Sequence, residues 1–176
     1  MGFWLMPPPE NHATGVVSVP RFRDMTPLID AISRLEQAKI VQGYWVMTSP
    51  TTRQADPEFV SIINSPAGID KGKLEAKAIS AGVPFWACEL NFYGPKKLIE
   101  AQWDCVRDAM AGIEGAAFKL NDIRALPLKP DELAVMLDTV FVGVPTLRTF
   151  GLGPLVSWEG ETIVGQLFFS PVIPRT

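Results

Sequence analysis

Histidine is almost missing from this chain: His12 is the only one among 176 residues, beside two cysteines and two tyrosines. Cys88 and Cys105 are far apart and form no CxxC pair. With one imidazole and no cysteine cluster, neither structural zinc nor a redox dithiol is expected. The cysteines read as two buried free thiols. Basic runs are missing too. The 16 Lys and Arg are scattered singly against 19 Asp and Glu, for a net charge of −3. That pattern argues against nucleic acid as a partner. No apolar run reaches the roughly 18–20 residues that span a bilayer, so no membrane partner is expected. There is no GxSxG, P-loop or GxGxxG. Gly112-Ile113-Glu114-Gly115 reads as a turn, not a phosphate cradle. Asp131 and Glu132 are neighbours, diverge by about 100° on a helix and cannot act as a paired acid and base. His12 lies in a Pro-flanked segment with no evident partner, and reads as solvated or structural. No catalytic residue is assigned, and the chain alone is expected to be inactive.

What is present is a chain with 47% hydrophobic residues, enough for the core of one domain. Strands and helices alternate, punctuated by Pro and Gly. Residues 15–20 form a strand. Met25, Leu28, Ile29, Ile32 and Leu35 recur at helical spacing, with Thr26 before Pro27 as the N-cap. Residues 41–48 form a second strand. Asp56-Pro57 opens a short helix carrying Phe59, Ile62 and Ile63. Asp70 caps another that Gly82 ends. Residues 84–93 are a third strand, and Gly94-Pro95 turns into a helix with Ile99, Trp103, Val106, Met110 and Ile113 on one face. Residues 116–121 are a fourth strand. A helix runs from Pro130 to about Val140, 143–160 are a Gly- and Pro-rich loop, and 161–170 a fifth strand. The order is β-α-β, a helical insertion, then β-α-β. It predicts an α+β fold, a ferredoxin-like antiparallel sheet with helices on one face.

Such a sheet has a second face, and period-2 alternation says what lies on it. In the third strand Trp86, Cys88, Leu90 and Phe92 point to the core. Phe85, Ala87, Glu89, Asn91 and Tyr93 point the other way, a mixture suited to a wet or ligand-facing surface. In the fifth strand Gln166 and Phe168 share the open face, while Leu167 and Phe169 face the helices.

Four segments carry a family resemblance. GFWLMPPPE at 2–10, Asn91-Phe92-Tyr93-Gly94-Pro95, Gly143-Val144-Pro145-Thr146 and Gln166-Leu167-Phe168-Phe169-Ser170-Pro171 occur in order. They resemble the cap-domain segments of the vanillyl-alcohol oxidase and 4-cresol dehydrogenase family of FAD-linked oxidases, and the match spans nearly the whole chain. The resemblance implies residues 1–14 as a connector leaving a flavin domain and 15–176 as a partial substrate-binding cap domain. It implies a parent FAD-dependent oxidoreductase acting on para-substituted phenols, 4-alkylphenols or benzylic alcohols, by hydride transfer to FAD. Phe168 matches a substrate-lining position, and Gln166 a position that faces both substrate and cofactor. In the family's vanillyl-alcohol oxidase that second position is a histidine bonded to flavin. A carboxamide is no comparable nucleophile, so no flavin bond is expected through Gln166.

The implied partners are the flavin domain of the same parent and a phenolic small molecule, with no FAD expected on this chain alone. Both ends are expected to be interior stretches of a longer protein. A homodimer is expected from exposed aromatics such as Phe168 and Phe85. GFWLMPPPE lacks a cationic start and a cleavage site, and the expected location is cytoplasmic. The competing reading is a free-standing ferredoxin-like binding or oligomerisation module without enzymatic activity.

Overall fold

The computed structural model describes residues 8–41, 45–135, 142, 155–158 and 161–164. Two units divide at Pro130. In the first, the elements in order are β1 (Asn11–Val19), α1 (Met25–Gln37), β2 (Val46–Thr48), α2 (Pro57–Ile63), α3 (Lys71–Ser80), β3 (Trp86–Tyr93), α4 (Lys96–Met110), β4 (Ala117–Leu120) and β5 (Arg124–Ala125). A short helix α5 (Pro130–Val135) follows. The second unit contains a separate hairpin, β6 (Leu155–Trp158) against β7 (Glu161–Val164).

The main sheet has the order β2-β3-β1-β4, with β5 extending the β1 pairing. All of its pairings are antiparallel. β3 lies between β1 and β2, and β1 between β3 and β4, so α1 and α4 each cross over one strand. These are the two split βαβ units of a ferredoxin-like fold, as the element order predicts. The α2–α3 pair is the insertion between β2 and β3.

The helix-facing core follows from alternation. From β1 it takes Ala13, Val17 and Val19, from β3 Cys88, Leu90 and Phe92, from α1 Leu28, Ala31, Ile32 and Leu35, and from α4 Ile99, Trp103, Val106 and Met110. Trp103 meets Phe92 and Phe118 edge-on, at centroid distances of 5.9 and 6.4 Å. It also explains Gly15 in the middle of a strand: a Cβ there would lie 2.3 Å from Cζ3 of Trp103. The glycine lets an indole lie flat on the backbone.

Several expectations shift. β1 begins at Asn11, four residues before the predicted start, because Gly15 is a packing device and not a boundary. The cap of α1 is Asp24, at the end of a 3₁₀ turn (Phe22–Asp24), and its carboxylate accepts from the Arg21 N–H at 3.0 Å. Asp56 and Asp70 cap α2 and α3 as read, each accepting a backbone N–H, and Gly82 has φ +65°. Residues 155–158, read as loop, are strand β6. Cys88 is buried, and burial pushes its thiol up to about 12, with Glu89 adding to the effect. Cys105 is exposed, contrary to the reading of two buried thiols. It lies between Trp103 and Val106 in sequence but turned off their stripe.

Phe85 is the clearest correction. Alternation predicts it on the open face among exposed aromatics, yet it is buried. β3 starts at Trp86, two residues after the predicted start, and Phe85 is sealed in a second cluster with Phe59, Leu74 and Ala78 from the insertion. Trp86 bridges the two clusters and donates Nε1–H to the Phe22 carbonyl at 2.9 Å.

Candidate functional site

The face of the sheet away from α1 and α4 carries His12, Thr14, Val16 and Ser18 of β1. Alternation adds Ala87, Glu89, Asn91 and Tyr93 of β3, Ala117 and Lys119 of β4, and Arg124 of β5. The register sorts these into rows. Tyr93, His12 and Arg124 form one row across three strands, Asn91 and Thr14 the next, and Val46, Glu89, Val16 and Lys119 the one after.

The first two rows hold the chemistry. His12 is 2% exposed and Asn91 0%. His12 Nε2 lies 2.9 Å from Asn91 Oδ1. A carboxamide oxygen only accepts, so Nε2 carries the hydrogen and Nδ1 the lone pair. Tyr93 stands against the imidazole at 5.0 Å between centroids, tilted 36°. Burial lowers the pKa of His12, and Arg124 lowers it further against the opposing effect of the Asn91 bond. Burial also raises Tyr93. The group is therefore a neutral imidazole of fixed tautomer, beside a protonated phenol and a guanidinium.

The Asn91–Pro95 segment builds this arrangement. Gly94 takes φ +129°, open to glycine, and Pro95 starts α4. The turn is tied to β1 twice: the Gly94 N–H donates to the Asn11 carbonyl at 3.0 Å, and Asn11 Nδ2 donates to the Gly94 carbonyl at 2.9 Å. These bonds fix the register that sets His12 opposite Tyr93. His12 thus has the partner that the sequence reading did not find, and its burial contradicts a solvated role. The missed signal was the alternation of Ala13, Val17 and Val19, which runs back through Gly15 and puts His12 on the Asn91 side.

Among the described residues, the hollows on this unit include two lined by charged side chains. One, about 330 Å³, is on the open face between β1 and β4, lined by Val16, Ser18, Ala117, Phe118, Lys119 and Asn121. The other, about 460 Å³, lies between α2 and α3, where Lys77 holds Asp56 at 3.2 Å and Glu58 at 2.6 Å. Gln166 and Phe168, the two predicted site residues, lie outside the described residues, as do Leu167, Phe169, residues 143–146 and residues 1–7. Among the described residues no His, Cys, Asp and Glu group could hold a metal, and no helix is long and apolar enough to cross a membrane.

No family model matches the chain. It is 23% identical over 174 residues, 98% of its length, to the flavoprotein subunit of 4-cresol dehydrogenase (hydroxylating) from Pseudomonas putida. It spans 32% of that relative. Among solved structures it is similar to p-cresol methylhydroxylase with substrate bound, at a TM-score of 0.56 and 20% identity, covering 85% of this chain and 29% of that one. It is also similar to 4-ethylphenol oxidase from Gulosibacter chungangensis in complex with isoeugenol, at a TM-score of 0.54 and 18% identity, covering 84% and 29%. The resemblance read from the four segments is borne out, and so is the α+β fold of an FAD-linked oxidase cap domain. The chain accounts for about a third of the length of these relatives.

Proposed function

We propose that this chain is part of the substrate-side cap domain of a flavin-dependent phenol-oxidising enzyme. Residues 15–176 form that part of the cap, and residues 1–14 connect it to a flavin domain of the same parent. The cap closes over FAD, excludes water and shapes a pocket for a para-substituted phenol, whose oxidation passes a hydride to the flavin. The chain supplies pocket wall and no catalytic group of its own. Gln166 and Phe168 line the pocket in this proposal, with Gln166 toward the cofactor. The observation that carries the reading is the match along 98% of this chain to a third of a 4-cresol dehydrogenase flavoprotein subunit. The polar sheet face supports it, since a free-standing sheet would have no need to bury a histidine and an asparagine opposite its helices. The unpaired thiols, one of them exposed, fit a parent in the cytoplasm.

Flavin stoichiometry tests the proposal. The isolated chain is expected to purify colourless. The complete polypeptide containing it is expected to hold one equivalent of flavin that 4-cresol bleaches without oxygen. A yellow chain at one equivalent, or a complete polypeptide without flavin, contradicts the reading. A homodimer of the isolated chain remains part of the proposal, through the open face and not through Phe85. Light scattering over a concentration series reads it directly, and a strictly monomeric species contradicts it.

A further inference from the structure

The start of β1 is held from two directions. On one side the Gly94 N–H donates to the Asn11 carbonyl, and Asn11 Nδ2 donates back to the Gly94 carbonyl. On the other, β5 pairs with Asn11 and His12 over only two residues, and the Leu126 N–H donates to the Glu10 carbonyl at 2.9 Å. So short a pairing adds little by itself. The side chain that pins this end is His12, 2% exposed and bonded to the fully buried Asn91. That bond suits a neutral imidazole. An imidazolium carries a second N–H and a charge, and its surroundings offer it neither water nor an anion. From β3 it faces Asn91 and Tyr93, and from β5 Arg124, a cation that only donates. From its own strand Glu10 is exposed at the entrance. Glu89 and Lys119 stand two rows away, about 13 Å along the sheet. Among the described residues no carboxylate forms an ion pair with His12. Burial and Arg124 both oppose the proton.

We infer that the buried His12–Asn91 pair is an acid-released latch on the start of β1. When His12 takes up a proton, residues 10–12 leave Gly94 and β5, the charged ring reaches water, and the rest of β1 stays in the sheet. The order follows from what holds each part. Ala13, Val17 and Val19 are anchored in the apolar core, whereas residues 10–12 are held by hydrogen bonds around one imidazole. The latch is a property of this chain. Its consequence rests on the cap reading, in which residues 1–14 lead to the flavin domain. Opening then lengthens that connector by three residues, roughly 10 Å of extended chain, and acid loosens the cap over the flavin.

The test is amide hydrogen exchange of the chain by NMR from about pH 7 down to about 5.5, the range just below the ordinary imidazole pKa, with each rate divided by its intrinsic rate at that pH. The Gly94 and Leu126 amides, which donate to Asn11 and Glu10, are expected to lose protection severalfold, the limit for one proton being about tenfold per pH unit. The Val106 amide of α4 is expected to keep its protection. His12→Gln, which keeps an N–H for Asn91 and cannot titrate, is expected to flatten the response. Asn91→Asp sets a carboxylate against the ring and is expected to reverse its sign, protection rising as the pH falls, which a mere loss of packing does not produce. Unshifted signals of the Trp103 ring establish that each variant is folded. Where Asn91→Asp does not fold, His12→Gln and the unmodified chain decide. Flat protection at Gly94 and Leu126, an equal loss at Val106, the same loss in a folded His12→Gln, or a folded Asn91→Asp that responds like the unmodified chain overturns the latch. If the complete polypeptide holds no flavin while these amides still respond, the cap reading fails and the latch stands. If it holds flavin and they do not respond, the latch alone fails.

Discussion

β1 shows two chemistries on one strand. Its odd residues, Ala13, Gly15, Val17 and Val19, face α4 and α1 and are apolar to the point of giving up a side chain at Gly15. Its even residues, His12, Thr14, Val16 and Ser18, face away, and His12 is buried there in a hydrogen bond. β3 repeats the split: Cys88, Leu90 and Phe92 on one side, Glu89, Asn91 and Tyr93 on the other. The helix side is held mainly by apolar burial, with Gln102 of α4 as a buried polar exception. The other side keeps polar groups whose burial is made tolerable by hydrogen bonds such as that between His12 and Asn91.

The difference is measurable. The largest expected effect is on the helix side: Trp103→Ala removes the indole wedged between Gly15, Phe92 and Phe118. It should cost about 3–5 kcal/mol of unfolding free energy by denaturant titration. A cost below about 1 kcal/mol would mean that this side is not the structural one. The polar side should give less. Asn91→Leu strands the His12 Nε2–H in a buried site and should cost about 1–3 kcal/mol, and His12→Leu added to it should restore part of the loss. A double variant less stable than the single one would show that the pair is not the coupled unit described.

The third effect is a pH dependence. The pKa of His12 is lowered from 6.5 in the folded chain, so the unfolded chain takes up the proton first as the pH falls. Stability from this group is therefore full above about 6.5 and declines as the pH drops from there toward the lower folded value. Replacing His12 with Gln should flatten that part of the profile, and an unchanged slope would place the titrating group elsewhere. The smallest effect lies on the insertion, at neither face. Lys77→Met loses bonds to two exposed carboxylates, Asp56 and Glu58, and should lower the melting temperature slightly, with the difference shrinking in high salt.

The helix side was legible in the sequence because periodicity and burial point the same way there. The α4 stripe, the insertion caps at Asp56 and Asp70, and the Cys88–Leu90–Phe92 alternation were all read from it. The polar side was half legible. Alternation places Asn91 and Tyr93 on it, but local propensity puts His12 in a connecting segment, because Gly15 reads as a break. Its real cause is Trp103, distant in sequence and invisible to any local window. Phe85 failed for a related reason: alternation gives direction within a sheet but cannot see an insertion folding over the strand's beginning. Arg124 gives no signal of its place in the sheet, since a two-residue strand carries no periodicity at all.

The central claim is that the face bearing His12, Asn91 and Tyr93 is the working face and the helix side is scaffold. The most direct measurement places one bulky charge on each side of the complete polypeptide and follows flavin bleaching by 4-cresol under anaerobic conditions. Val16→Arg projects from the middle of the working face, and Leu98→Arg from the outer surface of α4, where the side chain is 46% exposed. The account predicts that Val16→Arg abolishes bleaching while circular dichroism of the same variant in the isolated chain shows an intact fold, and that Leu98→Arg bleaches at the unmodified rate. Bleaching that survives Val16→Arg and is lost in a folded Leu98→Arg would contradict it.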